Sequence, residues 1–230
     1  AYGPAVRAIA EAHHGPAPLD LTPAPGATPP EGAEVLPTGS WRFAAGTRVT
    51  DLPGFAEGRF WVQDAAAALP ALLLAPRPGE RVADLCAAPG GKTAQLAAAG
   101  AEVTAVERDA NRVARLAENL LRLRLPAEII RADAAAWTPA APFDAILLDA
   151  PCTATGTIRR HPDVAHAKRP RDVQAAAEAQ ARLLKAAAGM LKPGGRIIFA
   201  TCSLQPEEGE AHLGRAASLG LTHDPFSPAE

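Results

Sequence analysis

The sequence predicts an α/β fold, a mainly parallel sheet with helices on both faces, preceded by a small α+β subdomain. Three observations carry this. From Asp64 onward, short apolar runs alternate with helix-like stretches, the pattern of right-handed βαβ units. Each of the chain's three cysteines follows such a run: Cys86 after Arg81 to Leu85, Cys152 after Ala145 to Pro151, Cys202 after Arg196 to Thr201. The first sixty residues have another texture, with six prolines between Pro16 and Pro30. The expected division is therefore 1–60 for the small, Pro-rich and partly β subdomain and 61–230 for the main domain.

In the first part, Val6 to His14 reads as a short helix, and the prolines exclude long regular elements after it. Ser40 to Phe43 and Arg59 to Gln63 read as short strands. Asp64 is placed to cap a helix over Ala65 to Leu74. Strands are expected at 81–85, Glu102 to Glu107, Ala127 to Arg131, Phe143 to Asp149 and Gly195 to Thr201. Helices are expected at Lys92 to Ala99, Asp109 to Arg124, Asp172 to Leu191 and Glu207 to Ser218. The chain begins at Ala1 and its only methionine is Met190, so it is expected to be a piece of a longer polypeptide.

Composition narrows the function. At 230 residues with 48% apolar content the chain can bury a substantial core. No apolar run approaches the roughly 20 residues of a membrane helix, so no membrane association is expected. Three cysteines, an odd number, argue for a reducing compartment and against a disulfide framework, and the cytoplasm is the expected location. Their wide separation, with no histidine at ligand spacing, argues against a metal site. A net charge of −2 gives no global pull on polyanions, so contact with nucleic acid must come from local clusters.

The loop Cys86-Ala87-Ala88-Pro89-Gly90-Gly91-Lys92-Thr93, between strand and helix, reads as a nucleotide or nucleoside cradle. Its glycines allow close approach, and the helix start offers unpaired N–H groups. Gly91-Lys92-Thr93 match the end of a phosphate-binding P-loop, with Asp149 as a possible magnesium ligand, but Cys86 stands where the first glycine belongs. In the nucleoside reading, Glu107 lies at the end of the next strand, where a carboxylate binds ribose hydroxyls, and Asp133 is placed to touch a base. Asp149-Ala150-Pro151-Cys152 brings a carboxylate and a thiol onto one loop, followed by Thr153 to Thr157, which cannot be core. Cys202 follows the next strand, so neighbouring strands would bring both thiols to one cleft.

Cys86 to Lys92, Asp149 to Cys152 and Thr201-Cys202-Ser203 together resemble the signature blocks of the RNA cytosine-5 methyltransferases of the Sun and nucleolar-protein family. Thr153 to Asp163 is most similar to the bacterial RsmB subgroup, which modifies small-subunit ribosomal RNA. The resemblance covers roughly Phe60 to Glu210, and more weakly Pro18 to Gly58. It implies a Rossmann-like methyltransferase fold and S-adenosylmethionine as methyl donor, held by Cys86, Ala87, Ala88, Pro89, Gly90, Gly91, Lys92, Glu107, Asp133 and Asp149. It further implies that Cys202 is the nucleophile, that Cys152 helps release product, and that Asp149 holds the base with help from Lys92. RNA, ribosomal in this subgroup, is the expected partner of a monomeric protein. Glu107 departs from the aspartate more usual in the family. The family's N-terminal RNA-binding domain and later strands have no counterpart in these residues, and the intact protein is expected to carry both.

The basic residues Arg159, Arg160, Lys168, Arg169 and Arg171, opposed only by Asp163, follow the Cys152 loop and are expected to contact RNA phosphates. A second basic stretch, Arg108 to Arg124, is left without a role. The alternatives from residues alone are a P-loop nucleotide hydrolase and a non-catalytic RNA-binding module that keeps the fold.

Overall fold

The computed structural model describes residues 3–225. A short helix, α1 (Val6–His14), leads into β1 (Leu19–Pro23), β2 (Glu34–Val35), β3 (Trp41–Phe43) and β4 (Phe60–Val62). These form a four-stranded antiparallel sheet in the order β2-β3-β1-β4. The sequence did not reveal β1, because it lies within the proline-rich stretch. It fits between Pro18 and its own last residue, Pro23, so the prolines limit its length and leave the interior free to pair. Leu21, Trp41, Phe43 and Phe60 make a small core of their own.

The rest alternates as expected. In order come α2 (Ala65–Leu74), β5 (Arg81–Leu85), α3 (Gly91–Ala98), β6 (Glu102–Glu107), α4 (Ala110–Leu123), β7 (Glu128–Arg131) and β8 (Phe143–Asp149). They are followed by α5 (Val164–Ala167), α6 (Pro170–Gly189), β9 (Leu191–Ala200) and α7 (His212–Ser218). The second sheet has the order β7-β6-β5-β8-β9, all parallel. Strand alternation sends Val82, Ala145 and Leu147 to one face, against Leu74 of α2 and Leu96 of α3. It sends Ala83, Leu85, Ile146 and Leu148 to the other, against Leu183 and Leu184 of α6. Ile146, Leu147 and Leu148 are fully buried, as a strand covered on both sides requires. Each such side chain contributes roughly 1.5–3 kcal/mol through burial.

Polar seams lock the parts together. Asp20 of β1 accepts two hydrogen bonds from Arg42 at 2.8 Å and one from the Ala65 N–H at 3.1 Å, tying the small sheet to the start of α2. Asp64 caps α2 as expected, accepting from the Ala66 N–H. Gln63 links Thr22 and Trp61 to Gln95 of α3. Arg122, from the unassigned basic stretch, donates to the Phe55 and Phe60 carbonyls and stacks 4.3 Å from the Phe55 ring centre. Arg196 of β9 caps α2 through the Leu74 and Ala75 carbonyls and pairs with Glu80. No described helix is long and apolar enough to cross a membrane.

One expected helix is broken. Glu207 to Ser218 forms a 3-10 turn at Pro206–Glu208, a break at Gly209, and then α7. The reason is Glu208, whose side chain is fully buried instead of following an exposed helical face.

Candidate active site

The carboxyl ends of β5, β8 and β9 are adjacent, and each delivers one cysteine loop. The first loop is tight. Cys86 takes a left-handed conformation, φ 66°, and its N–H and that of Ala87 both donate to the Val106 carbonyl. Gly90, φ 103°, packs so closely on α4 that a Cβ there would lie 2.6 Å from Leu116 Cδ1. Burial, with Glu107, Asp84 and Asp149 nearby, pushes the Cys86 thiol up to about 12, so it stays neutral. Cys86 therefore shapes the loop.

Around this loop sit carboxylates with oxygens to spare. Glu107 Oε1 accepts from the N–H groups of Arg108 and Asp109, whereas its buried Oε2 has no hydrogen bond, and the Arg112 guanidinium 3.4 Å away compensates its charge only. Arg112 also donates to the Ala88 carbonyl, bracing the loop from α4. Asp84, at the end of β5, accepts from Thr93 Oγ1 at 2.6 Å and leaves Oδ1 buried without a partner. Burial raises Asp84 to about 7, against the opposing effects of Thr93 and Lys92. Two orphaned carboxylate oxygens beside a glycine-rich strand-to-helix turn suit a polar ligand carrying hydroxyl or amino donors. Asp133 is exposed, and its Oδ1 accepts from the Ala135 N–H, closing the turn after β7.

Lys92 Nζ lies 2.8 Å from Asp149 Oδ2 and so joins the first loop to the second. Beyond Asp149, Cys152 Sγ stands 3.4 Å from Cys202 Sγ. Cys152 is lowered to about 7, first by the hydrogen bond from Cys202 and then by the backbone N–H groups around it, while burial opposes. Cys202 is raised, because it donates to Cys152, is partly desolvated and faces both that sulfur and Asp149. The pair therefore holds one readily lost proton and one tightly kept.

One expectation about the neighbouring residues needs correction. Thr153 is buried, 2% exposed, because its hydroxyl and N–H both donate to Glu208; a threonine satisfied on both groups is compatible with core. Arg159 and Arg160 are exposed and also held from within the protein. Arg159 donates to the Gly15 and Pro16 carbonyls, and Arg160 to the Pro18 carbonyl and Asp64, so both pin the segment before β1 to the Cys152 loop. Lys168, Arg169 and Arg171 are exposed. Sequence reasoning missed Asp84, Arg112, Gln180 and Glu208. The sequence offered a signal only for Asp84, the last acidic residue before the glycine-rich loop; Arg112 and Gln180 come from α4 and α6, and Glu208 from the 3-10 turn just after Cys202.

Comparison with known proteins gives the family and the fold. The family model described as 16S rRNA methyltransferase RsmB/F matches residues 71–219. Proteins named ribosomal RNA small subunit methyltransferase B are similar: that of Erwinia tasmaniensis is 49% identical over 179 residues, 76% of this chain and 42% of the relative. That of Vibrio cholerae is 48% identical over 190 residues, 78% and 44%. The chain thus spans less than half the length of these relatives. Among solved structures, a methyltransferase homolog from Pyrococcus horikoshii superposes with a TM-score of 0.81 at 30% identity, covering 94% of this chain and 75% of that one. NSun6 from the same organism, solved with SFG, an S-adenosylmethionine analogue, gives 0.72 at 26%, covering 92% and 64%. On the strength of the family match over well more than half its residues, the chain belongs to the 16S rRNA methyltransferase RsmB/F family.

Proposed function

We propose that this chain is the catalytic part of an enzyme that transfers a methyl group from S-adenosylmethionine to carbon 5 of a cytosine in small-subunit ribosomal RNA. The observation that carries the reading is the Cys152–Cys202 contact of 3.4 Å beside the Lys92–Asp149 pair. The donor, when bound, supplies an electrophilic methyl on a sulfonium. The loop Cys86 to Lys92 would hold it, Glu107 would take its ribose hydroxyls through the orphaned Oε2, and Asp133 and Asp149 would border it.

Carbon 5 of cytosine is a poor nucleophile until a thiolate adds at carbon 6. Cys202, the exposed member of the pair, is the attacking sulfur. Its proton has an acceptor within reach in Cys152, the thiol that ionises first. As Cys202 bonds to carbon 6, charge moves to ring nitrogen 3, where the Lys92 ammonium gives a hydrogen bond, while Asp149 holds Lys92 and accepts from the amino group of the base. After transfer, Cys152, having returned the Cys202 proton to water, takes the carbon 5 proton as a thiolate, and the carbon–sulfur bond breaks with Cys202 leaving as thiolate. The target base must be single-stranded or flipped out, because a stacked cytosine cannot reach a cleft thiol.

The test is trapping of the full-length protein on RNA containing 5-fluorocytidine, which cannot lose its carbon 5 substituent. A covalent adduct abolished by Cys202→Ala is expected; an undiminished adduct in that variant overturns the assignment. Cys152→Ala is expected to accumulate stalled protein–RNA complex.

A further inference from the structure

Glu208 is a buried carboxylate to which the reaction just described assigns no part. It is 0% exposed. Four donors converge on its two oxygens. The Thr153 N–H reaches Oε2 at 2.8 Å, Gln180 Nε2 reaches the same oxygen at 3.1 Å, Ser203 Oγ reaches Oε1 at 2.7 Å, and the Thr153 hydroxyl also donates to Oε1. Thr153 directly follows Cys152, and Ser203 directly follows Cys202. Gln180, from α6, also donates to the Pro151 carbonyl at 2.9 Å, so both neighbours of Cys152 are tied to this cluster. His212 Nε2, 3.0 Å from Gln180 Oε1, orients that amide from α7.

The two sulfurs lie at the ends of separate strands and share no covalent restraint within 50 residues of chain. Their separation is set by whatever joins the loops, and a single carboxylate accepts from both. We infer that Glu208 is the positioning residue that fixes the Cys152–Cys202 pair, by drawing Thr153 and Ser203 onto one buried acceptor. It touches neither sulfur and positions them through the residues that follow them; its own charge raises Cys152, opposing the lowering that the Cys202 contact brings.

Glutamine keeps an acceptor for the Thr153 N–H and Gln180, and its N–H₂ group can serve the Thr153 and Ser203 hydroxyls if both turn round to accept; Glu208→Ala removes every acceptor, and the loops part. Displacement of about 1 Å at a reacting group costs on the order of a hundredfold in rate. This inference rests on the proposed reaction for its effect on turnover, but not for its effect on the thiols.

The experiment uses the full-length protein with Ser203→Ala, which severs the Cys202 loop from the carboxylate and keeps its charge, and with Glu208→Ala, which removes every acceptor. Iodoacetamide alkylation of Cys152 is followed against pH without RNA; calorimetry measures S-adenosylmethionine affinity; methyl transfer to unmodified ribosomal RNA gives kcat and KM. For Ser203→Ala the expected result is an alkylation midpoint raised toward that of an ordinary thiol, about 8.5, donor affinity within about threefold of wild type, and kcat lower by about a hundredfold with little change in KM. Glu208→Ala is expected to lower kcat at least as far, and Glu208→Asp, which keeps both acceptor and charge, to recover part of it. An unchanged midpoint in folded Ser203→Ala overturns the inference. A wild type that neither methylates nor traps RNA, while Ser203→Ala still shifts the midpoint, overturns the proposed function and leaves the clamp standing.

Discussion

Cys152 Sγ and Cys202 Sγ are 3.4 Å apart at the ends of adjacent parallel strands, so the two thiols share one proton-transfer contact. At neutral pH the easily lost proton belongs to Cys152, and the hydrogen bond from Cys202 is the main reason.

That bond makes the reactivity of one sulfur depend on the other. Iodoacetamide is expected to modify Cys152 with a midpoint near 7 and to spare Cys86, which burial pushes up to about 12. Cys202→Ala removes the largest lowering influence, and the Cys152 midpoint is expected to rise toward about 8.5. Peptide mapping after brief labelling at pH 7 will show less modification of Cys152 in the variant; equal labelling would mean that the sulfurs are not in contact.

Gly156 is the close approach between the same two loops. Its N–H donates to the Cys202 carbonyl at 2.9 Å, and a Cβ there would lie 2.7 Å from that oxygen. Gly156→Ala must push the loops apart, at a cost of about 1–3 kcal/mol. Urea unfolding should report that loss, and methyl transfer should fall with it.

Asp84 predicts an unusual dependence of stability on pH. Its ordinary value of 3.8 is raised to about 7 in the fold. Between those limits the folded chain keeps a proton that the unfolded chain has released, so this group's contribution falls as pH rises. His212, held down by burial from 6.5, works in the opposite direction in the upper part of that range. Asp84→Asn should therefore remove the falling component and leave a profile that rises toward pH 6.5. Thermal melts without donor at several pH values check this, and an unaltered slope would rule out Asp84 as its source.

The basic segment divides into two roles. Lys168, Arg169 and Arg171 are exposed, and each substitution by alanine is expected to reduce the slope of log affinity for RNA against log salt by about 0.7–0.9. Arg159→Ala and Arg160→Ala should mainly loosen the segment before β1, detectable as faster proteolysis near residues 15–18. If all five substitutions changed the salt slope equally, this division would fail.

Much of the fold was legible because the strands of the main sheet are short, apolar and separated by helices with caps. Asp109, for example, accepts from the Arg112 N–H at the start of α4, where the sequence places that helix. The cysteine loops were legible because each sits at a strand end, and strand adjacency brought Cys152 and Cys202 together. The supports were not. Gln180 reads as an ordinary polar residue on a long helix, and Glu208 as a charge on an exposed one. Their burial follows from the crossing of α6 over the ends of β8 and β9, which no local pattern encodes. The internal partners of Arg159 and Arg160 were illegible for a related reason, since a basic run looks the same whether or not it also meets the carbonyls of a proline-rich segment.

Among the described residues, β9 has a strand partner on one side only. Such a strand opens more readily than one bonded along both edges. Amide exchange should therefore run faster along β9 than along β8, whose neighbours hold it on both sides. Within residues 3–225, Cys202, two residues past the end of β9, stands on the more yielding of the two supports and Cys152 on the stiffer; in the proposed reaction it is Cys202 that must travel to a carbon atom and back, and a further strand laid against β9 would stiffen its support.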